Sequence, residues 1–168
     1  LANLVDYAVS YYENLQKKYG KGKERKSEIK EFDTIQVKQV AIANTKLYIN
    51  RQEGFIGTSL KKDEFLCDCT DYDDIIAFTK SGIMKVVKVS DKVFIGKDIL
   101  HAAVFQKNDE RTTYNMIYVD GANGISYAKR FNVTGVTRDK EYPLAKSSEK
   151  SKVHYLTVNA NGEAESVK

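Results

Sequence analysis

The chain has 168 residues and a net charge of +4, from 27 basic and 23 acidic side chains. This length is enough for one domain with a real core, alone or with an appendage. Two cysteines, Cys67 and Cys69, are too few for a disulfide framework and favour reduced thiols in a cytoplasm. No apolar run is long enough to span a membrane, and the lack of an initiator methionine leads us to expect a piece of a longer protein.

Basic residues are segregated along the chain. Residues 17–30 carry seven Lys or Arg against two Glu, residues 80–97 five Lys against one Asp, and residues 129–152 seven bases against three acids. Residues 63–74 reverse the sign, with six acidic residues and no basic one. Such segregation is expected when one face meets a polyanion, although the solvated faces of an ordinary protein can also show it.

The first residues have a helical pattern. Apolar side chains recur at spacings of three and four from Leu1 to Leu15, which predicts a helix over residues 1–19. Gly20 and Gly22 follow at once, and glycine just past the last periodic residue is the usual end of a helix. The highly charged stretch that comes next, residues 21–33, is interpreted as a linker.

From about residue 34 the pattern changes to short runs rich in Val, Ile, Tyr and Phe, bounded by turn residues. This is typical of an all-β domain. Several runs are apolar on successive residues, so we expect sheets that are covered on both faces. The predicted strands are 35–37, 40–43, 47–49, 75–78, 84–89, 116–119, 126–133 and 154–158.

Four glycine-containing turns each lie between two of these runs, as β-hairpins require. They end at Gly54, Gly82, Gly124 and Gly162, and in the fourth the second strand is predicted at 164–167. Their recurrence favours a radial or repeating β architecture over an irregular β-sandwich, which remains the alternative.

A second pattern recurs after two of the turns. Residues 85–97 and 127–138 both read as a basic strand that ends in a hydrophobic residue, followed by a glycine and then a base. This pattern aligns Gly96 with Gly135 and Lys97 with Arg138.

These residues resemble a known family. Asp74–Gly82 (DIIAFTKSG), a basic strand and then Phe94–Lys97 (FIGK) look like the blade motif of the β-pinwheel, the C-terminal domain of gyrase and topoisomerase IV A subunits. The predicted helix with residues 24–29 is similar to the junction where the long core helix leaves the dimer-forming coiled coil. Residues 53–60 and 138–142 resemble the topoisomerase IV-like A subunit of the Bacteroidetes type.

The resemblance implies a β-pinwheel, a propeller-like disc of four-stranded blades that binds and bends duplex DNA, preceded by one N-terminal α-helix. Residues 1–20 would be the end of the core helix, 21–33 the linker, and 34–168 the pinwheel. Four hairpins are fewer than a full pinwheel has, so we expect an incomplete disc. The Gln-Arg-Gly-rich box of gyrase is absent from residues 33–168, which favours topoisomerase IV-like relaxation and decatenation.

The resemblance also implies where the chemistry lies. In that family the nucleophilic tyrosine and the metal-binding carboxylates belong to the upstream core, so we expect no catalytic residue, metal or cofactor here. ATP and Mg²⁺ would act through other domains and through the B subunit. The implied partners are double-stranded DNA, the B subunit, and a second A subunit that is joined through upstream domains, in the cytoplasmic nucleoid and away from membranes.

The residues themselves agree with the absence of a catalytic site. Nothing in the sequence marks one of the eleven tyrosines as activated, and His101 and His154 are isolated from partner motifs. Cys67 and Cys69 share one face of a predicted strand, but no second pair of zinc ligands follows.

The basic residues are therefore the candidate site. Strand alternation places Lys129 on one face with Tyr127 and Phe131 and turns Arg130 outward. The predicted DNA-binding residues, which would contact phosphates without reading sequence, are Lys85, Lys88, Lys92, Lys97, Lys129, Arg130, Arg138 and Lys140. The alternatives are a protein-interaction propeller, or a small RNA-binding β-domain, which would need exposed aromatic platforms.

Overall fold

The computed structural model describes residues 3–23, 44–146 and 150–167, and the chain divides into two compact units, Leu1–Ile35 and Gln36–Lys168. The first unit contains helix α1 (Leu4–Tyr19), which confirms the predicted helix, and none of its residues is buried. The helix ends at Gly20, whose N–H donates to Gln16 O at 2.8 Å. Most of the predicted linker and the predicted strands 35–37 and 40–43 lie outside the described residues.

The described part of the second unit contains eleven strands in three antiparallel sheets, which confirms an all-β domain. The first sheet has the order β3-β1-β2-β6, the second β10-β5-β4-β7, and the third β11-β8-β9. The strands are β1 (Thr45–Asn50), β2 (Phe55–Gly57), β3 (Glu64–Cys69), β4 (Asp74–Thr79), β5 (Ile83–Lys88), β6 (Val93–Phe94), β7 (Ile99–Phe105), β8 (Thr113–Val119), β9 (Ser126–Asn132), β10 (Glu141–Pro143) and β11 (Lys152–Asn159).

Successive sheets exchange a strand. Each sheet is built around one hairpin, which is β1–β2, β4–β5 or β8–β9. After β5 the chain crosses to the first sheet, where β6 pairs with β2, and then returns as β7 to pair with β4. The next unit repeats this path, since β10 pairs with β5 and β11 returns to β8. The first two sheets therefore have four strands, of which one belongs to the following unit.

The three sheets pack face to face in chain order. Leu47 of the first sheet and Ile75 of the second share one core cluster. On the opposite face of the second sheet, Ile76 and Phe78 pack with Tyr114 of the third sheet. Since β4 alternates between these clusters, its run of apolar residues fills two cores. The expectation that both faces are covered is confirmed for the second sheet.

Two hairpin turns pack closely against the segment that follows the exchanged strand of the next unit. Gly54 has φ +82°, and a Cβ placed on it would lie 2.2 Å from Gly96 O. Gly82 has φ +79°, and its Cβ would lie 3.1 Å from the Cβ of Ala145. The first turn therefore requires glycine both for its backbone conformation and for the close approach of the exchanged segment.

The predicted fourth hairpin is wrong. The chain does turn at Gly162, whose N–H donates to Asn159 O at 3.3 Å, but residues 160–167 form no strand. This tail is held instead by side chains of the third sheet. The Glu165 carboxylate accepts hydrogen bonds from Asn115 at 3.1 Å and from the hydroxyls of Tyr155 and Thr157.

The predicted alignment of Gly96 with Gly135 is also wrong. The N–H of Ile95 donates to Gly54 O and the N–H of Leu144 donates to Gly82 O, both at 2.8 Å. These two bonds are equivalent in the repeat, so the counterpart of Lys97 is Lys146 rather than Arg138. Gly135 precedes the exchanged strand, whereas Gly96 follows it.

Candidate nucleic-acid interface

The loops of the second unit lie at two opposite ends of the strands. One end, which we call the turn edge, carries the hairpin turns 51–54, 79–82 and 120–124 and, within the described residues, the returning segments 95–98, 144–146 and 150–152. The other end, which we call the far edge, carries the connections 70–73, 89–92, 106–112 and 133–140. Any long ligand that crosses the three sheets must follow one of these edges or a sheet face.

The described parts of the returning segments are hydrogen-bonded to the hairpin turns. The segment 95–98 joins the first and second turns, Leu144 binds the second turn, and residues 151–153 bind the second and third turns. The bonds run from Ile95 N–H to Gly54 O (2.8 Å), Lys80 N–H to Asp98 O (2.9 Å), Leu144 N–H to Gly82 O (2.8 Å), Val153 N–H to Lys80 O (2.8 Å) and Gly121 N–H to Ser151 Oγ (2.9 Å).

Four of the eight predicted DNA-binding residues lie at the far edge: Lys88, Lys92, Arg138 and Lys140. Lys88 ends β5 opposite Asp74, and the Arg138 guanidinium lies 2.9 Å from the Asp74 carboxylate. Lys92 Nζ lies 4.3 Å from the ring centroid of Phe55. The far edge thus brings half of the predicted DNA-binding residues together, but the Asp74 carboxylate lies among them.

Lys85 lies inside the second sheet rather than at either edge. It pairs with Glu141 of the exchanged strand, and its ammonium is 3.8 Å from the Glu141 carboxylate. Its side chain is only 17% exposed, so Lys85 helps to hold β10 and has little surface left for a phosphate.

Lys97 and Lys129 lie near the turn edge. Lys129 shares a face with Tyr127 and Phe131, as alternation predicts, and its ammonium donates to the carbonyl of Leu144 in the returning segment. Lys97 is exposed at the end of the other returning segment. The structure therefore separates these two residues from the four at the far edge.

Arg130 points to the outer face of the third sheet. Its guanidinium donates to the carbonyls of Gly162 at 2.6 Å and Glu163 at 3.3 Å, so the tail occupies its donors. The eight residues consequently do not form one surface. Whether any of them contacts DNA stays a prediction.

Both cysteines and His101 lie at least partly inside the fold. Burial raises the pKa of the Cys67 thiol and raises the pKa of the Cys69 thiol to about 11, and both cysteines pack in the core between the first and second sheets. Burial also lowers the pKa of His101. Within the described residues, no three His, Cys, Asp or Glu side chains are placed to hold a metal ion. Among those same residues, no helix could cross a membrane.

The fold defines an all-β repeat domain in which successive units exchange a strand. Residues 46–168 match the family model of the topoisomerase C-terminal domain of the Bacteroidota, and the chain belongs to that family. It is 32% identical over 143 residues to the A subunit of DNA topoisomerase 4 from Borreliella burgdorferi. That alignment covers 84% of this chain and 23% of the relative, so the chain spans about a quarter of the relative's length. No solved structure matches the chain.

Proposed function

We propose that this chain is a non-catalytic DNA-binding domain of the A subunit of a type IIA topoisomerase. In the whole enzyme it would hold and curve a duplex so that the transported segment meets the gate during ATP-dependent strand passage. The observation that carries this proposal is the match of residues 46–168 to the topoisomerase C-terminal domain family. Strand cleavage would belong to upstream domains, and ATP and Mg²⁺ to other domains and the B subunit.

The topology supports a β-pinwheel as the form of the domain. Blades of such a disc must each bury both faces against neighbours, and the second sheet does so through Ile75 on one face and Phe78 on the other. The exchange of β6 and β10 ties each sheet to the next. We infer that the three sheets are successive blades and that relaxation and decatenation are the reactions served.

Binding to duplex DNA by such a domain requires several cations that act together. Each lysine or arginine that neutralises a phosphate releases counterions, which gives affinity without sequence readout. Curving 20–30 base pairs costs about 1–6 kcal/mol, so a single contact cannot offset it. A rigid, repeated framework that presents cations from more than one sheet meets this requirement.

Fluorescence anisotropy with a labelled 30-base-pair duplex tests the proposal on the 168-residue chain. The affinity is expected to fall steeply between about 50 and 200 mM salt, by about 0.9 logarithmic units per logarithmic unit of salt for each phosphate contact. Energy transfer between labels at the two duplex ends should rise on binding if the duplex is curved. Absence of binding, or binding that salt does not weaken, contradicts the proposal.

One observation favours a second function, a protein-interaction module. The outer face of the first sheet carries four aromatic side chains across its strands, and two of them are half exposed, Phe65 at 49% and Phe94 at 50%. Aromatic residues are enriched in protein interfaces. If this function is the true one, binding of a protein partner will survive removal of the basic residues and will be lost when the aromatic residues are replaced. The four aromatic residues are Tyr48, Phe55, Phe65 and Phe94.

A further inference from the structure

We propose that duplex DNA runs along the turn edge, with Lys97, Lys146 and Lys150 as phosphate contacts and Lys80 and Lys152 beside them. This inference rests on the proposed function and specifies which surface performs it. Of these five lysines the sequence had indicated only Lys97. The others become candidates through their positions in the strand-exchanged repeat.

The two edges differ in charge. Among the residues that the structure describes, bases slightly outnumber acids at the turn edge, whereas acids slightly outnumber bases at the far edge. The turn edge carries Arg51, Lys80, Lys97, Lys146, Lys150 and Lys152 against Glu53, Asp63, Glu64, Asp98 and Asp120. The far edge carries Lys88, Lys92, Lys107, Arg111, Arg138 and Lys140 against Asp71, Asp73, Asp74, Asp91, Asp109, Glu110 and Asp139. A phosphate backbone is attracted to the first and not to the second.

Burial widens this difference, whereas pairing affects one arginine at each edge. Asp120 is 2% exposed and accepts a hydrogen bond from Ser151, so it adds little to the surface of the turn edge. Arg51 at the turn edge is ion-paired with Glu64, and Arg138 at the far edge is ion-paired with Asp74. Within residues 3–23, 44–146 and 150–167, none of the five turn-edge lysines is ion-paired with a carboxylate.

Two of the five lysines occupy equivalent positions of the repeat. Lys97 and Lys146 each lie two residues after the N–H that binds the glycine carbonyl of a hairpin turn, in Ile95 and in Leu144. A base repeated from one unit to the next is what contact with a regular polymer of phosphates requires. Face-to-face sheets lie about 10 Å apart, so three sheets extend over about 20 Å. At about 3.4 Å per base pair, this is the length of about six base pairs.

The framework holds this edge in place before any ligand binds. The ammonium of Lys146 lies 5.8 Å from the ring centroid of Tyr127, and its backbone N–H donates to the Tyr118 hydroxyl at 3.3 Å. The Lys129 ammonium donates to the carbonyl of Leu144. Because residues 144–146 are held by these contacts, less entropy is lost when Lys146 meets a phosphate.

The test compares two triple variants of the 168-residue chain, with the same duplex and the same salt. The turn-edge variant is Lys97→Gln, Lys146→Gln and Lys150→Gln, and the far-edge variant is Lys88→Gln, Lys92→Gln and Lys140→Gln. All six side chains are exposed, and both variants change the net charge from +4 to +1, so only the position of the lost charge differs. Circular dichroism and thermal melting establish that each variant is folded.

We expect the turn-edge variant to bind at least tenfold more weakly than the unmodified chain, and its salt slope to fall by about 2–3 units. The far-edge variant should lose no more than about threefold. Equal losses, or a larger loss in the far-edge variant, overturn this inference while leaving DNA binding intact. If the unmodified chain does not bind the duplex at all, the proposed function fails first.

Discussion

The second and third sheets are built on the same hairpin plan, but they are buried to different extents. The second sheet has four strands and is covered on both faces, so five of the six residues of β4 are buried. In the third sheet, β9 is largely exposed, and among the residues that the structure describes the outer face is covered by the tail at residues 162–167. Position within the repeat therefore decides which hairpins must be apolar on both faces.

Equivalent positions show the difference residue by residue. In the second sheet, Phe78 of β4 pairs with Met84 of β5, which lies two residues after Gly82. Both side chains are buried against the third sheet. The matching pair in the third sheet is Val119 and Ser126. The outward face of the third sheet thus carries a smaller side chain and a hydroxyl where the inner sheet has a phenyl ring and a thioether.

The largest effect is expected from truncation at this matched pair. Phe78→Ala removes a ring that is 1% exposed and packs on Tyr114 and Phe131, and should lower the free energy of unfolding by about 3–5 kcal/mol. Val119→Ala at the equivalent place, which is only partly buried, should cost about 1 kcal/mol or less. Urea denaturation of both variants checks this, and equal losses would show that the third sheet is as tightly packed as the second.

Alanine at the three turn glycines should sharpen the comparison. Gly54→Ala places a Cβ against Gly96 O and forces alanine into the left-handed backbone region. Together these effects should lower the free energy of unfolding by about 2–5 kcal/mol. Gly124 has φ +69° but nothing within 4 Å of a Cβ, so Gly124→Ala should cost only the strain, about 1–2 kcal/mol. Gly82→Ala should fall between them. Thermal melting gives the order, and a reversed order would show that the exchanged segments do not close the first two turns.

His101 provides a test by pH. Burial lowers the pKa of His101 below its ordinary value of 6.5, with a further contribution from nearby Arg51, and its Nε2 has no hydrogen-bond partner within the described residues. The unfolded chain therefore binds a proton near pH 6.5 that the folded chain does not, and stability should decrease as the pH falls from about 7 to 5. His101→Gln should flatten this slope, as urea denaturation of both chains across this pH range would show.

The smallest effect is expected from the tail. Hydrogen bonds, first from Thr157, then from Tyr155 and Asn115, lower the pKa of Glu165, so the carboxylate stays charged and bound at neutral pH. Glu165→Ala should leave the melting temperature almost unchanged. It should, however, speed hydrogen exchange and protease cleavage in residues 160–167. Unchanged exchange would mean that the contact of Arg130 with the carbonyls of Gly162 and Glu163 holds the tail alone.

Sequence patterns predicted β1, β4, β5, β8, β9 and β11 and three of the four hairpins, because apolar runs flanked by glycine turns are a local signal. They missed β6 and β10, which have two and three residues, because strands so short have no periodicity to read. They also missed β3 and β7. The fourth hairpin was predicted wrongly because residues 164–167 look like a strand, yet side chains rather than a backbone ladder hold the tail.

The candidate surface was harder to predict than the fold. Alternation correctly placed Lys129 with Tyr127 and Phe131, but it could not show that the tail would bind Arg130 or that Asp74 would pair with Arg138. The equivalence of Lys97 and Lys146 depends on which glycine carbonyl each segment contacts. That information lies in the pairing between units, and no property of either segment alone contains it.

Strand exchange has a consequence for how the chain folds as the ribosome releases it. β2 ends at residue 57, but its partner β6 begins only at residue 93; likewise β5 ends at residue 88 and its partner β10 begins at residue 141. Each early hairpin must therefore wait, with one unpaired backbone edge, until about 35 to 50 more residues have been synthesised. Such edges are prone to mispairing, so folding intermediates of this domain should be the species that depend most on chaperones.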